Sequence, residues 1–232
     1  MTDLKNAIVL VTGANGGLGT EFVHQALARG AAKVYATARN PRTWDDERIV
    51  PLVLDVTNQQ SVDAAARAAS DVTIVVNNAG VGGSAPLLET SVDEVERVFA
   101  TNVFGALRVA KSFAGHLRGG ALVDVHSVLS WIALGAGYSA SKAAFWSLTN
   151  SLRLELAPQG TQVVGAHLGY TDTGMTTGLD VEKADPADIV AAIWDAVEAG
   201  EHEVLADQIS RDVRAGLSAP LEALYPGLAA AV

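Results

Sequence analysis

Tyr138 and Lys142 stand four positions apart in the run Tyr138-Ser139-Ala140-Ser141-Lys142, within a stretch of helical patterning. On a helix that spacing puts both side chains on one face. A phenol with a pKa of about 10 exchanges protons poorly at neutral pH. An ammonium beside it favours the phenolate, so the tyrosine can serve as general acid or base. A second group lies near the N-terminus, Thr12-Gly13-Ala14-Asn15-Gly16-Gly17-Leu18-Gly19, between an apolar run and an amphipathic one. Strand, glycine loop and helix in that order make a dinucleotide cradle. The glycines allow a tight turn and a close approach of the pyrophosphate, and the helix N-terminus presents free N–H groups and a partial positive charge. Taken singly, each group has a plain structural explanation: a packed tyrosine edge with a solvated lysine head, or an ordinary glycine turn. The loop's place at the end of the first strand favours the cofactor reading.

The elements that must position these residues alternate. Ala7–Val11, Lys33–Ala36, Leu52–Leu54, Val72–Val76, Ala121–Val125, Val163–Ala166 and Glu203–Ala206 read as strands. The longer runs are valine-rich without strict polar alternation, as in strands covered on both faces. Helices are expected at Leu18–Arg29, Gln59–Ala69, Val92–Leu117, Tyr138–Leu156, Pro186–Ala199 and Ile209–Leu224, with Asp185 capping Pro186. Strand–helix alternation of this kind implies right-handed crossovers. The expected fold is α/β, a Rossmann-like three-layer α/β/α sandwich on a mostly parallel, doubly wound sheet of about seven strands. One domain over residues 1–232 is expected, with an irregular stretch at about 170–185 read as a mobile substrate loop.

The glycines are set as T-G-x-x-x-G-x-G, and here the sequence resembles the short-chain dehydrogenase/reductase family. The resemblance runs through Asp55-Val56 after the third strand, Asn77-Asn78-Ala79-Gly80 after the fourth, Asn102 in the next helix, Ser127 after the fifth strand, and the Tyr138–Lys142 motif. It implies hydride transfer between a nicotinamide and a carbonyl or secondary alcohol. Tyr138 would move the proton, and Lys142 would hold the nicotinamide ribose. Ser127 would donate to the substrate oxygen, and Asn102 would fix a water that links the lysine to solvent. It further implies that Gly13, Asn15, Gly17, Leu18 and Gly19 form the cradle, that Asp55 and Val56 hold the adenine, and that Asn78, Ala79 and Gly80 line the adenosine ribose side. Gly169, Thr171 and Thr173 match the segment that meets the carboxamide. Where an NAD-preferring fold places an acid on the ribose 2′-hydroxyl, this chain has Ala38 followed by Arg39. An arginine there can bind a 2′-phosphate, which favours NADP(H), with Arg42 a rival for the same task.

The chain also departs from the pattern. Ser127 and Tyr138 are 11 positions apart, whereas about 13 are expected from the resemblance, so the segment Val128–Gly137 is shortened. Ser130 is the alternative serine, less well placed. Leu168-Gly169 replaces a proline–glycine pair, which should loosen that turn. The chain is short for the family, which suggests a reduced substrate lid. His126 should point away from Ser127, as a histidine that either supports the site from behind or packs. Asp124 lies inside a strand, where a buried carboxylate needs a partner that the sequence does not name.

Composition narrows the rest. With 26 acidic against 16 basic residues the net charge is -10, which disfavours nucleic acid as a partner. There is no cysteine, so disulfides, thiolate zinc sites and cysteine nucleophiles are excluded. No histidine spacing suggests a metal. The first apolar run is too short for a signal core or membrane span, and a cytoplasmic protein is expected. Expected pocket borders are Val81–Ser84, Leu129–Ile132 and Tyr170–Met175. They carry no arginine or lysine, so a small, neutral, partly apolar carbonyl or alcohol is the expected substrate. The resemblance implies a homodimer or homotetramer, with Phe99, Phe113, Phe145 and Trp146 as candidate contacts. Two other readings stay open: a dinucleotide-sensing regulator without turnover, and a methyltransferase, which also has a glycine loop but gives the tyrosine–lysine pair no role.

Overall fold

A computed structural model describes residues 2–83 and 85–231. Seven parallel strands form one sheet in the order β3-β2-β1-β4-β5-β6-β7. They are β1 (Ile8–Thr12), β2 (Lys33–Ala38), β3 (Ile49–Val53), β4 (Ile74–Asn77), β5 (Ala121–Val125), β6 (Gln162–His167) and β7 (Glu203–Leu205). The helices are α1 (Leu18–Ala28), α2 (Gln59–Ala68), α3 (Val92–Phe99), α4 (Ala106–Phe113), α5 (Ala136–Leu156), α6 (Pro186–Ala199), α7 (Gln208–Gly216) and α8 (Leu221–Leu224). The expected Rossmann-like α/β/α architecture is therefore present.

Successive side chains on a strand point to opposite faces, and β1 shows how this serves two helical layers. Val9 and Val11 enter the core with α1 and α6, while Leu10 enters the core with α2, α4 and α5. On the first face Trp194 is fully buried, with Phe22 edge-on to it at 5.4 Å. Burial of each such aromatic stabilises the fold by roughly 1.5–3 kcal/mol. Both sheet edges are blunted. β7 is three residues long, and β3 carries Pro51, whose missing N–H an outer strand tolerates.

Most element ends shift by one to a few residues, and three differences are larger. β3 starts at Ile49 rather than Leu52, because Pro51 is tolerated at the edge. The expected long helix Val92–Leu117 is broken by a π-helical segment, Ala100–Gly105. A Cβ on Gly105 would lie 2.8 Å from Val56 Cγ2, so the close approach to Val56 needs a residue without one there. The terminal helix is divided into α7 and α8, with Pro220 capping the second. The stretch at 170–185 is clasped at its ends: Ala184 N–H donates to Tyr170 O at 2.8 Å and Asp172 N–H to Ala184 O at 3.0 Å. Asp185 caps α6 by accepting from Ala187 N–H at 2.8 Å, with Pro186 in the first turn as expected. Phe113 and Phe145 are buried in the core rather than available as subunit contacts.

Candidate active site

The strand order reverses between β2-β1 and β4-β5, so a crevice opens at the carboxyl ends of β1 and β4. The glycine loop leaves β1 there. Gly13 and Gly17 adopt positive φ of 68° and 52°. A Cβ on Gly19 would fall 2.2 Å from Gly13 O and 2.9 Å from Asn78 Nδ2. The loop is braced from the neighbouring strand: Asn78 Nδ2 donates to Thr12 O at 2.9 Å, and Thr12 Oγ1 accepts from the Asn78 and Ala79 N–H groups, each at 3.0 Å. Leu18 packs on the core beneath the loop. Thr12, part of the loop motif but without an assigned role, ties β1 to the end of β4 through its hydroxyl.

The outer flank carries the adenosine candidates. Asn15 Nδ2 donates to Asn40 O at 2.8 Å, and its Oδ1 accepts from Arg42 N–H at 3.3 Å. The Arg42 guanidinium lies 3.9 Å over the Trp44 ring. Arg39 is exposed and acts electrostatically on Asp55. The Asp55 carboxylate accepts from the Thr57 hydroxyl at 2.7 Å and N–H at 2.9 Å, which holds its pKa below the ordinary value. Val56 is buried against Gly105 of the π segment.

At the opposite end, Thr173 lies over Gly17, its Cγ2 being 3.1 Å from where a Gly17 Cβ would stand. The hydroxyl of buried Thr171 has no partner among the described residues. The turn with Leu168 in place of proline is pinned from α7: Gly169 N–H donates to Asp207 Oδ2 at 2.6 Å, and Leu168 is buried in the core. The loosening expected there is offset by that bond.

The proton-transfer candidates meet where β5, α5 and the π segment join. Asn102 clamps the chain after β4. Its Oδ1 accepts from Val81 N–H at 2.9 Å, and its Nδ2 donates to Val81 O at 3.0 Å and Ser141 Oγ at 3.1 Å. Ser141 Oγ donates to Tyr138 O at 2.7 Å. This serine, inside the quoted motif yet assigned no role, joins Asn102 to the tyrosine's backbone. Lys142 is buried, and its Nζ donates to Val125 O at 2.8 Å. Ser127 sits at the start of a short 3₁₀ turn, Val128–Ser130. The two serines cap this turn reciprocally, Leu129 N–H donating to Ser127 Oγ at 3.2 Å and Ser127 N–H to Ser130 Oγ at 3.5 Å, and Ser127 is the one whose hydroxyl faces the Tyr138 phenol.

The electrostatics differ from the sequence argument in one respect. Burial pushes the Tyr138 phenol up to about 12, opposed by the facing Ser127 hydroxyl. The Lys142 ammonium, drawn to Val125 O, is 5.7 Å from the phenol ring centroid. Burial pushes Lys142 down to about 8. The phenol is thus held neutral, as a proton donor must be.

The shortened segment before Tyr138 is bridged from the C-terminal side. Tyr225 Oη accepts from Ala133 N–H at 3.1 Å. Trp131, expected as a pocket wall, is stacked on His167 at 3.9 Å and 20°. His126 is buried against Phe145 at 4.5 Å, in the packing role of the two expected of it. Ser84 lies outside the described residues; Met175 approaches Gly82 on the same border, its Cγ 3.4 Å from where a Cβ there would stand. Among the described residues no group of His, Asp and Glu could hold a metal ion, and no helix is long and apolar enough to cross a membrane.

A family model described as short chain dehydrogenase matches residues 7–184. The chain belongs to this family. A solved family structure from Burkholderia cenocepacia, in complex with NADP, is 36% identical with a TM-score of 0.91, covering 98% of this chain and 99% of that one. A short-chain dehydrogenase from Sphingobium yanoikuyae in complex with NADPH is 25% identical, with a TM-score of 0.80 over 97% of this chain and 96% of that one. Among curated relatives, an NADPH-dependent 1-acyldihydroxyacetone phosphate reductase of Schizosaccharomyces pombe is 35% identical over 178 residues. That match covers 71% of this chain and 60% of the yeast protein's length. An uncharacterised oxidoreductase of Staphylococcus aureus is 31% identical over 223 residues, 87% of this chain and 95% of that protein. The chain is thus a short-chain oxidoreductase, similar to solved structures that hold NADP and NADPH.

The cradle fits such a dinucleotide: the two positive-φ glycines, the close approach at Gly19 and the unpartnered Thr171 hydroxyl supply the tight turn and a free polar group. A Gly19→Ala variant is expected to displace the loop. Overpacking of this kind costs about 1–3 kcal/mol, or roughly 5- to 150-fold in affinity if it falls on dinucleotide binding. Fluorescence titration of the folded variant with NADPH checks this, and unchanged affinity would refute it.

Proposed function

We propose that this chain is an NADP(H)-dependent reductase/dehydrogenase that moves a hydride between nicotinamide and a carbonyl or secondary alcohol, with Tyr138 donating the proton in the reductive direction. The observation that carries the reading is the convergence of Tyr138, Lys142, Ser127 and Asn102 from β5, α5 and the π segment, beside the glycine cradle. A bound NADPH would supply the hydride. Gly13, Asn15, Gly17, Leu18 and Gly19 would hold its pyrophosphate, Asp55, Val56 and Asn78 to Gly80 its adenosine, and Gly169, Thr171 and Thr173 its carboxamide. Ser127 would orient the substrate carbonyl and stabilise negative charge developing on its oxygen. Tyr138, neutral at physiological pH, would protonate that oxygen. Lys142 would hold the nicotinamide ribose, and Asn102 would order the water that returns a proton to the lysine.

The preference for NADP(H) rests on the absence of an acid at position 38 and on two arginines on the adenosine flank, Arg39 and Arg42. Arg39 is the assigned contact to the 2′-phosphate. An Arg39→Ala variant should bind NADPH about 10- to 100-fold more weakly, the measure of one charge-assisted contact of about 1.5–3 kcal/mol, with NADH binding unchanged. Equal losses for both dinucleotides would overturn the assignment, and a selective loss in Arg42→Ala instead would move it to Arg42.

The substrate is proposed to be small, neutral and partly apolar, bounded by Val81, Leu129, Ile132, Tyr170 and Met175. Arg214, 5.5 Å from the Trp131 ring, is paired with Glu203 at 3.4 Å and so gives little free positive charge to an anion. A homodimer or homotetramer is proposed through α4 and α5, where Leu154 and the adjoining Phe104 are exposed. The reading as a whole is tested by titrating the protein with NADPH and NADH and then following NADPH consumption against a panel of carbonyls. Failure to bind either dinucleotide would overturn it.

A further inference from the structure

Asp124 is completely buried on β5, and no step of the proposed reaction calls for a carboxylate there. Both of its oxygens are engaged. Oδ1 accepts from Asn77 Nδ2 at 2.9 Å, across the β4–β5 pairing in which Asn77 and Asp124 are register partners. Oδ2 accepts from Thr149 Oγ1 at 2.7 Å, from α5. Both donors are neutral, so neither balances the charge. The next residue on the strand, Val125, gives its carbonyl to the Lys142 ammonium. Lys142 and Thr149 are seven residues apart on α5, hence on the same face of the helix. A buried ammonium bonded to one carbonyl and a buried carboxylate bonded to two neutral donors are each costly alone. Set on one seam between β5 and α5, each offsets the other.

We propose that Asp124 is the buried counter-charge that keeps Lys142 an ammonium, a positioning residue that acts on proton transfer through the lysine. The inference deepens the proposed reaction and rests on Lys142 having its role there. The other titratable groups around the pair are accounted for. From α5, Tyr138 is held neutral by burial, and Arg153 bonds to Val163 O, His202 O and Asn150 Oδ1. From β5 and β6, His126 and His167 are held neutral by burial. None of these supplies a negative charge to the lysine.

Asp124→Asn is the direct test, because the amide can keep both hydrogen bonds. Its oxygen can accept from Asn77, and its NH₂ can donate to Thr149 Oγ1, whose own proton turns to Phe145 O at 3.0 Å. In the variant, the pH at which Lys142 loses its proton should fall by about one unit or more. Two readouts follow it. The basic limb of kcat/KM for carbonyl reduction should move to lower pH by the same amount. The Lys142 Cε resonance in ¹³C-lysine-labelled protein, identified by its absence in Lys142→Met, should titrate at lower pH whether or not the protein turns over. Thr149→Val, which removes a hydrogen bond but no charge, should leave that titration in place. Should Asp124→Asn not fold, the reciprocal experiment decides: in Lys142→Met the Asp124 carboxyl carbon should titrate at higher pH than in the parent. An unmoved lysine titration in folded Asp124→Asn, or an unmoved carboxyl titration in Lys142→Met, would overturn the proposal. A moved lysine titration in a protein that never consumes NADPH would uphold the charge pairing and sink the proposed reaction instead.

Discussion

Tyr138→Phe should bind NADPH as the parent does and reduce carbonyls about 10²- to 10⁴-fold more slowly, the usual contribution of one positioned acid. The phenolic hydroxyl is the only part of the side chain removed. The backbone bond from Ser141 Oγ to Tyr138 O survives, and with it the link to Asn102. Lys142 keeps its contact to Val125 O, so the residues assigned to the nicotinamide ribose are undisturbed. The loss should fall on kcat, because the proton is transferred only as the carbonyl carbon is reduced. Stopped-flow reduction with NADPH, beside a fluorescence titration of the same variant, measures both quantities. Parent-like turnover would exclude Tyr138 as the acid. A protein whose only activity was dinucleotide sensing would show no change in its response, and tight binding of S-adenosylmethionine with weak binding of NADPH would revive the methyltransferase reading.

Stability should decline steeply on acidification below about pH 6.5, through two imidazoles that have no catalytic assignment. His126 and His167 are buried side by side, their ring centroids 5.0 Å apart, and burial depresses both, His167 to about 3. The unfolded chain takes up these two protons below about pH 6.5 while the native state refuses them. The stability they contribute is therefore fully present above that pH and lost as pH falls toward the native values, at about 1.4 kcal/mol per unit for each histidine. Asp124 acts with the opposite sign. Burial raises it from 3.8 to about 6, so between those values the native carboxyl holds a proton that the unfolded chain has released. Its slope cancels that of one histidine in this window. The net expectation is a slope of about one proton from pH 6.5 down to pH 4.5, the second histidine being offset by Asp124. Urea denaturation at half-unit steps from pH 8 to 4.5 measures this directly. A flat profile between pH 6.5 and 4.5 would show that the two rings take up a proton in the native state, where Glu203, 3.7 Å from His167 Nε2, could pair with a charged ring.

Much of the fold was legible because its determinants are local. A glycine loop after a valine-rich run, Asp185 before Pro186, and Tyr138 four residues ahead of Lys142 each carry their geometry in their spacing. What was not legible depends on contacts distant in sequence. The expected strand Leu52–Leu54 begins after Pro51, and β3 extends back through it to Ile49 because it lies at an edge, which is a property of the whole sheet. The π segment holding Asn102 follows no periodicity of its own; it accompanies the clamp on Val81 and the approach of Gly105 to Val56. Trp131 looked like a pocket wall until His167, brought in by β6, covered its face. Asp124 needed a partner that the sequence could not name, because Asn77 and Thr149 arrive from β4 and α5. The shortened segment before Tyr138 was visible as a count of residues. Its bridge to Tyr225 was not, since α8 is set by Pro220 rather than by the continuous helix that the apolar pattern suggested.

The strand order also governs how the molecule is made. The central pairing sets Val9 beside Ile74, and no strand is joined to its neighbour by a hairpin. As the chain leaves the ribosome, β1, β2 and β3 can associate, yet the inner edge of β1 stays bare until β4 arrives. β4 then exposes its own edge until β5, and so on outward to β7. Each transient edge is a row of unpaired amides bordered by valine and isoleucine, the pattern most prone to intermolecular pairing. Every parallel contact except β2 with β3 must also await at least one crossover helix, which makes the topology slow to fold. Synthesis at reduced temperature, or with abundant holdase chaperones, should therefore raise the soluble yield more than any change to the finished surface.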